Sequence, residues 1–341
     1  MARKDLTLEE LVAGVRAADR RAVARAISLV EDGDPLAYPL VRELYPSTGR
    51  AAIVGVTGPP GVGKSSLIGA LVGLVRERGR TVGVVSVDPS SPFSRGALLG
   101  DRIRLSDHFL DPGVYIRSMG TRGHVGGLAE ATLQAVLLLD AAGKDVVFVE
   151  TVGAGQSEVE VTGIADTVLL VLMPGSGDSV QALKAGIMEI PDVIAINKMD
   201  HPAAKTMLSE VRSIVGLAEP ERRPKILLTE ALSGENAPEL LSAIEEHRAE
   251  LASDGRLEER RRKNLAAEVF AVASSRANAH LRAAVAGDPA LQRVLAQVES
   301  RELDPLSAVR EIMEEVFFAG SDPQRPLRGD GGDVSNRGQT P

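Results

Sequence analysis

From residue 51 onward the apolar residues fall in short, dense runs at 51–57, 81–87, 145–150, 167–173, 192–197 and 225–229, separated by amphipathic or polar stretches. Runs that are apolar at nearly every position mark strands covered on both faces. The pattern therefore predicts an α/β fold, with a mostly parallel sheet flanked by helices. In such folds ligands gather beyond the carboxyl ends of the strands, so the segments after each run are where chemistry is expected.

The chain ends read differently. Thr7-Leu8-Glu9-Glu10 has the spacing of a capping box, and Leu8, Leu11, Val12 and Val15 then share one helical face. A second stretch, Arg20 to Glu31, places Val23, Ile27 and Val30 on a stripe and stops before Gly33. Residues 1–47 are thus expected to form an N-terminal helical segment packed on a main domain of 48–255. From Arg256 a charge-dense helix carries Leu265, Val269 and Val272 on one face. Asp304-Pro305 then gives a cap and a first-turn proline before the stripe Leu306, Val309, Met313 and Val316, which ends at Gly320. Residues 256–320 are expected to be a helical arm. Residues 321–341, rich in Gly, Asp, Pro and Arg without periodicity, are expected to be a disordered tail.

The first apolar run leads into Gly58-Pro59-Pro60-Gly61-Val62-Gly63-Lys64-Ser65, followed by a helical pattern from Ser66 to Arg78. Strand, glycine-rich loop and helix together are the context of a phosphate-binding P-loop. The glycines let backbone N–H groups converge on phosphate oxygens at the positive end of a helix dipole. Lys64 is expected to reach the β- and γ-phosphates and Ser65 to ligate magnesium, with Ser66 completing the phosphate set.

Carboxylates follow two further strands. Asp88 opens the segment 88–104, where a strand-end acid could face a phosphate-bound magnesium; the other reading is a turn residue before proline. Asp101 could join the same shell or simply cap a helix. The run at 145–150 ends in Glu150, three residues before Gly153, where GTPases commonly carry aspartate and use the glycine N–H on the γ-phosphate. Ala154 stands where Ras-like enzymes place a water-orienting glutamine, with Gln156 further on. Hydrolysis is therefore expected to be slow until a partner completes the site. Lys64, Asp88 and Glu150 make the expected catalytic set, and Ser65, Asp88, Asp101 and Glu150 the expected magnesium set.

After the run at 192–197 comes Asn197-Lys198-Met199-Asp200. The Asp200 carboxylate can accept from both N1–H and the exocyclic amine of guanine, a donor pair that adenine lacks. Asn197 can brace the loop and Lys198 can lie over the ring. After 225–229, Thr229-Glu230-Ala231-Leu232 occupies the place of a Ser-Ala loop whose alanine N–H meets the guanine oxygen; Ala231 and Leu232 are expected at the base, and Glu230 departs from that pattern. Gln181 and Lys184, three apart after a glycine-rich loop, share a helical face suited to a mobile polar contact.

Composition narrows the picture. Aromatic residues are only 3% of the 341, so aliphatic packing dominates the core. The net charge of -8 argues against nucleic acid or an anionic membrane as partner. The absence of cysteine excludes disulfides and thiolate metal sites. The start of the chain has no apolar targeting segment, and no run approaches membrane-spanning length, so a cytoplasmic protein is expected.

Taken in order, DPSSPFSRGALLGDRIR at 88–104, IRSMGTRGHVGGLA at 116–129, FVETVGAGQSEVEV at 148–161, and PGSGDSVQALKAGIMEI with NKMD at 174–200 are similar to the MeaB/ArgK family of GTPases. The human counterpart in that family is the cobalamin-A type methylmalonic aciduria protein. The resemblance covers roughly residues 5–320. It implies a P-loop fold that dimerises through the C-terminal arm, GTP, GDP and magnesium as ligands, and an adenosylcobalamin-dependent acyl-CoA mutase as partner. It further implies that the chain gates cofactor delivery to that mutase and helps eject damaged cofactor. By the same resemblance Asp88 and Glu150 open two switch segments, and Gln181 and Lys184 belong to a third that couples nucleotide state to the mutase. Arg95 and Gly120 depart from the family pattern. Two other readings stay open: a P-loop phosphotransferase linked to basic amino-acid transport, and a nickel metallochaperone, for which the five histidines are scattered.

Overall fold

Each apolar run becomes a strand because its β-branched and aliphatic side chains can be buried on both faces of one sheet. The computed structural model describes residues 6–88, 105–120, 127–151, 163–175, 191–217, 219–220 and 223–318. Its strands are β1 (Ala52–Thr57), β2 (Val82–Asp88), β3 (Val114–Gly120), β4 (Val146–Thr151), β5 (Thr167–Leu172), β6 (Val193–Ile196) and β7 (Lys225–Leu228). They form one seven-stranded sheet in the order β3-β2-β4-β1-β5-β6-β7. Every pairing in it is parallel. The sequence runs foretold six of these strands. β3 was not among them because Arg117 and Ser118 interrupt its apolar signal, as an edge strand allows.

Helices cover both faces. On one, α1 (Leu8–Arg16), α2 (Arg20–Glu31), α3 (Ala37–Leu44) and α5 (Gly127–Ala141) pack on Val85, Val87, Met119, Val147 and Val149. α4 (Lys64–Glu77) and α7 (Ala237–Ser253) pack on Val54, Val56, Val84, Phe148 and Leu169 of the other. α6 (Ala204–Val215) buries Met207 and Val211 against Leu170, Leu172, Ile194 and Ile196. The Thr7 capping box is formed in full, and Leu11, Val12 and Val15 are buried. α3 escaped the sequence reading because Pro39 lies inside it. Pro39 is the third helical residue, where the backbone N–H would have no partner in the helix, so the ring is tolerated. The N-terminal layer is pinned by Arg117 on β3, whose Nε donates to Glu31 Oε1 at 2.9 Å.

The opening of α8 (Arg256–Gly287) is fastened to the amino ends of two strands. Asp166, just before β5, accepts from Ile53 N–H at 3.0 Å and from Arg261 Nε and Nη2 at 2.7 and 2.6 Å. Asp192, just before β6, accepts from Val168 N–H and from both terminal nitrogens of Arg260. Burial pushes the Asp192 carboxyl up, but hydrogen bonds from His247 and Arg260 outweigh it and hold the group below the usual carboxylate range.

Internal contacts divide the chain into Met1–Ser275 and Arg276–Pro341. The second unit contains the end of α8, α9 (Pro289–Glu299) and α10 (Pro305–Met313). Asp304 caps α10 as expected, accepting from Leu306 and Ser307 N–H. Its burial comes from Leu291, Ala308 and Ile312, whereas Leu306, Val309, Met313 and Phe317 are exposed. The apolar stripe read in the sequence thus faces outward.

Candidate nucleotide site

The carboxyl ends of β1, β4, β5 and β6 converge on the loop after β1. Gly58 enters that loop at φ 137°, and a Cβ there would lie 2.1 Å from Val171 O on β5. Gly63 closes it at φ 94°, with a would-be Cβ 2.4 Å from Asn197 Nδ2. At both positions only glycine permits the conformation and the close approach. α4 starts at Lys64, two residues earlier than the sequence pattern suggested. The exposed Pro60 and Gly61 form the loop's tip, and Val62 is buried beneath it. Lys64 is buried and folds back over the loop, Nζ donating to Gly58 O at 2.7 Å and Pro59 O at 3.0 Å.

Ser65 and Glu150 meet at the end of β4. Ser65 Oγ donates to Glu150 Oε1 at 2.6 Å, Ser86 Oγ to Oε2 at 3.2 Å, and both Ser65 and Glu150 are buried. A hydroxyl and a carboxylate in contact, in an all-oxygen setting beside a phosphate loop, have the chemistry of a magnesium site. Ser86 was not singled out in the sequence; its place two residues before the end of β2 is the signal that could have found it. Asp88 ends β2 beside Gly120 of β3. Asp101, Gly153, Gln181, Lys184 and Arg95 lie outside the described residues.

The base-reading loop is tied to the phosphate loop chiefly by one buried side chain. Asn197, 2% exposed, donates through Nδ2 to Val62 O at 2.8 Å, and its Oδ1 accepts from Ala231 N–H at 3.0 Å. Lys198, at φ 59°, places Nζ 3.3 Å from Gly61 O and 3.2 Å from Met173 Sδ, while Asp200 is exposed. The expectation that Ala231 N–H stands ready for the guanine oxygen needs refinement, since that N–H is engaged by Asn197 here. Between α4 and the loop after β7 lies a cavity of about 520 Å³ lined by Ser66, Ala70, Gly73, Ala231 and Leu232 among others, of a size that holds small ligands. Asn197→Ala is expected to cost about 1–3 kcal/mol, because the Val62 carbonyl and Ala231 N–H lose a buried partner. Chemical denaturation of the variant measures it, and an unchanged midpoint would contradict the bracing role.

An all-parallel sheet, a phosphate loop at the centre of its carboxyl edge and an Asn-Lys-x-Asp loop tied to it define a P-loop GTPase fold. The chain belongs to the MeaB family, matching "Methylmalonyl Co-A mutase-associated GTPase MeaB" over residues 23–286. It is 33% identical to the GTPase ArgK of Escherichia coli, over 91% of this chain and 97% of that one. It is 35% identical to the mitochondrial methylmalonic aciduria type A homolog of Caenorhabditis elegans, over 76% of this chain and 71% of that one. A solved structure described as a LAO/AO transport system kinase superposes with a TM-score of 0.70 at 29% identity, covering 93% of this chain and 99% of the other. Among the described residues no helix is long and apolar enough to cross a membrane.

Proposed function

We propose that this chain is a GTP-hydrolysing chaperone that gates adenosylcobalamin delivery to an acyl-CoA mutase, methylmalonyl-CoA mutase or a close relative, and protects that enzyme. The observation that carries the nucleotide half of this reading is Asn197, which bonds the phosphate loop and the base loop at once and so sets Asp200 at a fixed distance from Lys64. The mutase half is supported by the family the chain matches.

In this reading Gly58 to Ser66 and Gly153 hold the phosphates, Lys64 neutralises charge on the β- and γ-groups, and Asn197, Lys198, Asp200, Ala231 and Leu232 read guanine. Ser65 and Glu150, with Asp88 and Asp101, would hold magnesium, which when bound neutralises charge on the phosphates. Water attacks the γ-phosphorus, the bond to the β–γ bridging oxygen breaks, and GDP and phosphate leave. Glu150 carries one methylene more than the usual aspartate, and Ala154 rather than glutamine comes immediately after Gly153, so turnover is slow until the mutase docks, with Gln181 and Lys184 in the coupling segment. The outward apolar stripe of α10 suits a second copy of the chain, giving a homodimer in the cytoplasm.

The test is GTP turnover with and without each candidate mutase, with ATP as control. A mutase that binds the chain in a nucleotide-dependent way and accelerates GTP but not ATP hydrolysis is the expected result. Equal use of ATP, or indifference to every mutase, would overturn it. The kinase description of the structural neighbour makes phosphoryl transfer the second reading. Following labelled γ-phosphate into water or onto protein separates the two.

A further inference from the structure

The acid near the end of β4 has two neighbours across the sheet, and they differ in kind. In the parallel register Glu150 lies opposite Ser86 of β2 on one side and Val56 of β1 on the other. Alternation along each strand puts Ser86 on the face of Val84 and Glu150 on the face of Phe148, the side of the sheet that α4 covers. The first turn of α4 brings Ser65 to the same place. Each Glu150 oxygen therefore meets its own hydroxyl, Oε1 that of Ser65 at 2.6 Å and Oε2 that of Ser86 at 3.2 Å. All three residues are buried, Ser86 to 2% exposure.

We propose that Ser86 is a positioning residue of the magnesium site, fixing the Glu150 carboxylate so that this in turn orients the Ser65 hydroxyl for a phosphate-bound divalent cation. This rests on the magnesium and nucleotide reading above. A hydroxyl carries one proton and two lone pairs. While its proton stays on Glu150 Oε1, Ser65 keeps its lone pairs for the cation. A carboxylate that turned would carry the proton round with it.

Glutamate has one more rotatable bond than aspartate, so its carboxylate has more freedom to lose when it is held. Ser86 supplies the hold on the second oxygen, from a rigid strand in register with Glu150. Val56, the register neighbour on the other side, has no group that could do so. Ser86 contacts neither nucleotide nor reacting atoms in this reading; it acts through Glu150. Removing its hydroxyl should loosen the cation and leave the phosphate loop and the base loop as they are. A serine that merely supported the end of the sheet would, when lost, weaken nucleotide binding with or without metal.

The probe is manganese in place of magnesium, since its unbound form is counted directly by electron paramagnetic resonance. The full chain, saturated with GDP, is titrated with manganese, and GDP affinity is measured separately in excess EDTA. Ser86→Ala is expected to weaken manganese binding about tenfold, the low end of the loss when an outer partner of a metal ligand is removed, with metal-free GDP affinity as in wild type. Ser86→Thr, which keeps the hydroxyl, should restore manganese binding. Should Ser86→Ala fail to fold by circular dichroism, Ser86→Cys, whose thiol is only a weak donor, takes its place with the same expected loss. Unchanged manganese affinity, an equal loss of metal-free GDP affinity, or no rescue by threonine overturns the proposal. Wild type separates the two levels: a GDP complex that takes up no manganese defeats the magnesium reading itself, whereas manganese binding that Ser86→Ala leaves intact defeats only the role of Ser86.

Discussion

Lys64→Ala is expected to lower GTP turnover by about a hundred- to a thousandfold, the scale on which one preorganised charge stabilises phosphoryl transfer. Lys64 is 6% exposed, and its Nζ is held at 2.7 and 3.0 Å from two carbonyls of the phosphate loop. The charge is thus already oriented before nucleotide arrives. Alanine removes it and leaves the Gly58 and Pro59 carbonyls without this donor. Phosphate release under single-turnover conditions, with nucleotide occupancy followed in parallel by a fluorescent GTP analogue, tells lost chemistry from lost binding. Turnover within threefold of wild type would remove Lys64 from the mechanism.

Arg261→Ala carries the largest expected loss of stability, about 3–5 kcal/mol. The Asp166 side chain is 1% exposed, and Arg261 supplies two of its hydrogen bonds. Arg261 also reaches the Gly49 and Ala51 carbonyls, so one guanidinium joins α8 to the segment that leads into β1. Without it a carboxylate remains buried, with Ile53 N–H and a 3.5 Å contact from Arg248 as its other partners. Urea denaturation measures the loss. A difference below about 1 kcal/mol would show that the carboxylate is solvated by other means.

What could be read in the chain beforehand was whatever is written locally. The Thr7 capping box, the phosphate loop and the Asp304 cap each depend on residues a few positions apart, and the structure places each as read. Six strands were visible because their runs are apolar throughout. β3 and α3 were not, since Arg117 and Ser118 broke one pattern and Pro39 the other. Pairings between distant residues left no trace in the order of letters. Arg260 and Arg261 were legible only as part of a charge-dense helix, yet they clamp Asp192 and Asp166. Glu230 was visible as a departure from pattern, but its bridge to Glu235 needed the fold.

The single amide that joins Val62 to Ala231 has a consequence for how the two loops can move. With β1 seated between β4 and β5, and Gly58 pressed on Val171, the floor under a triphosphate and the grip on its purine form one stiff gauge of constant length. A change at one end of that gauge cannot be taken up by stretching it.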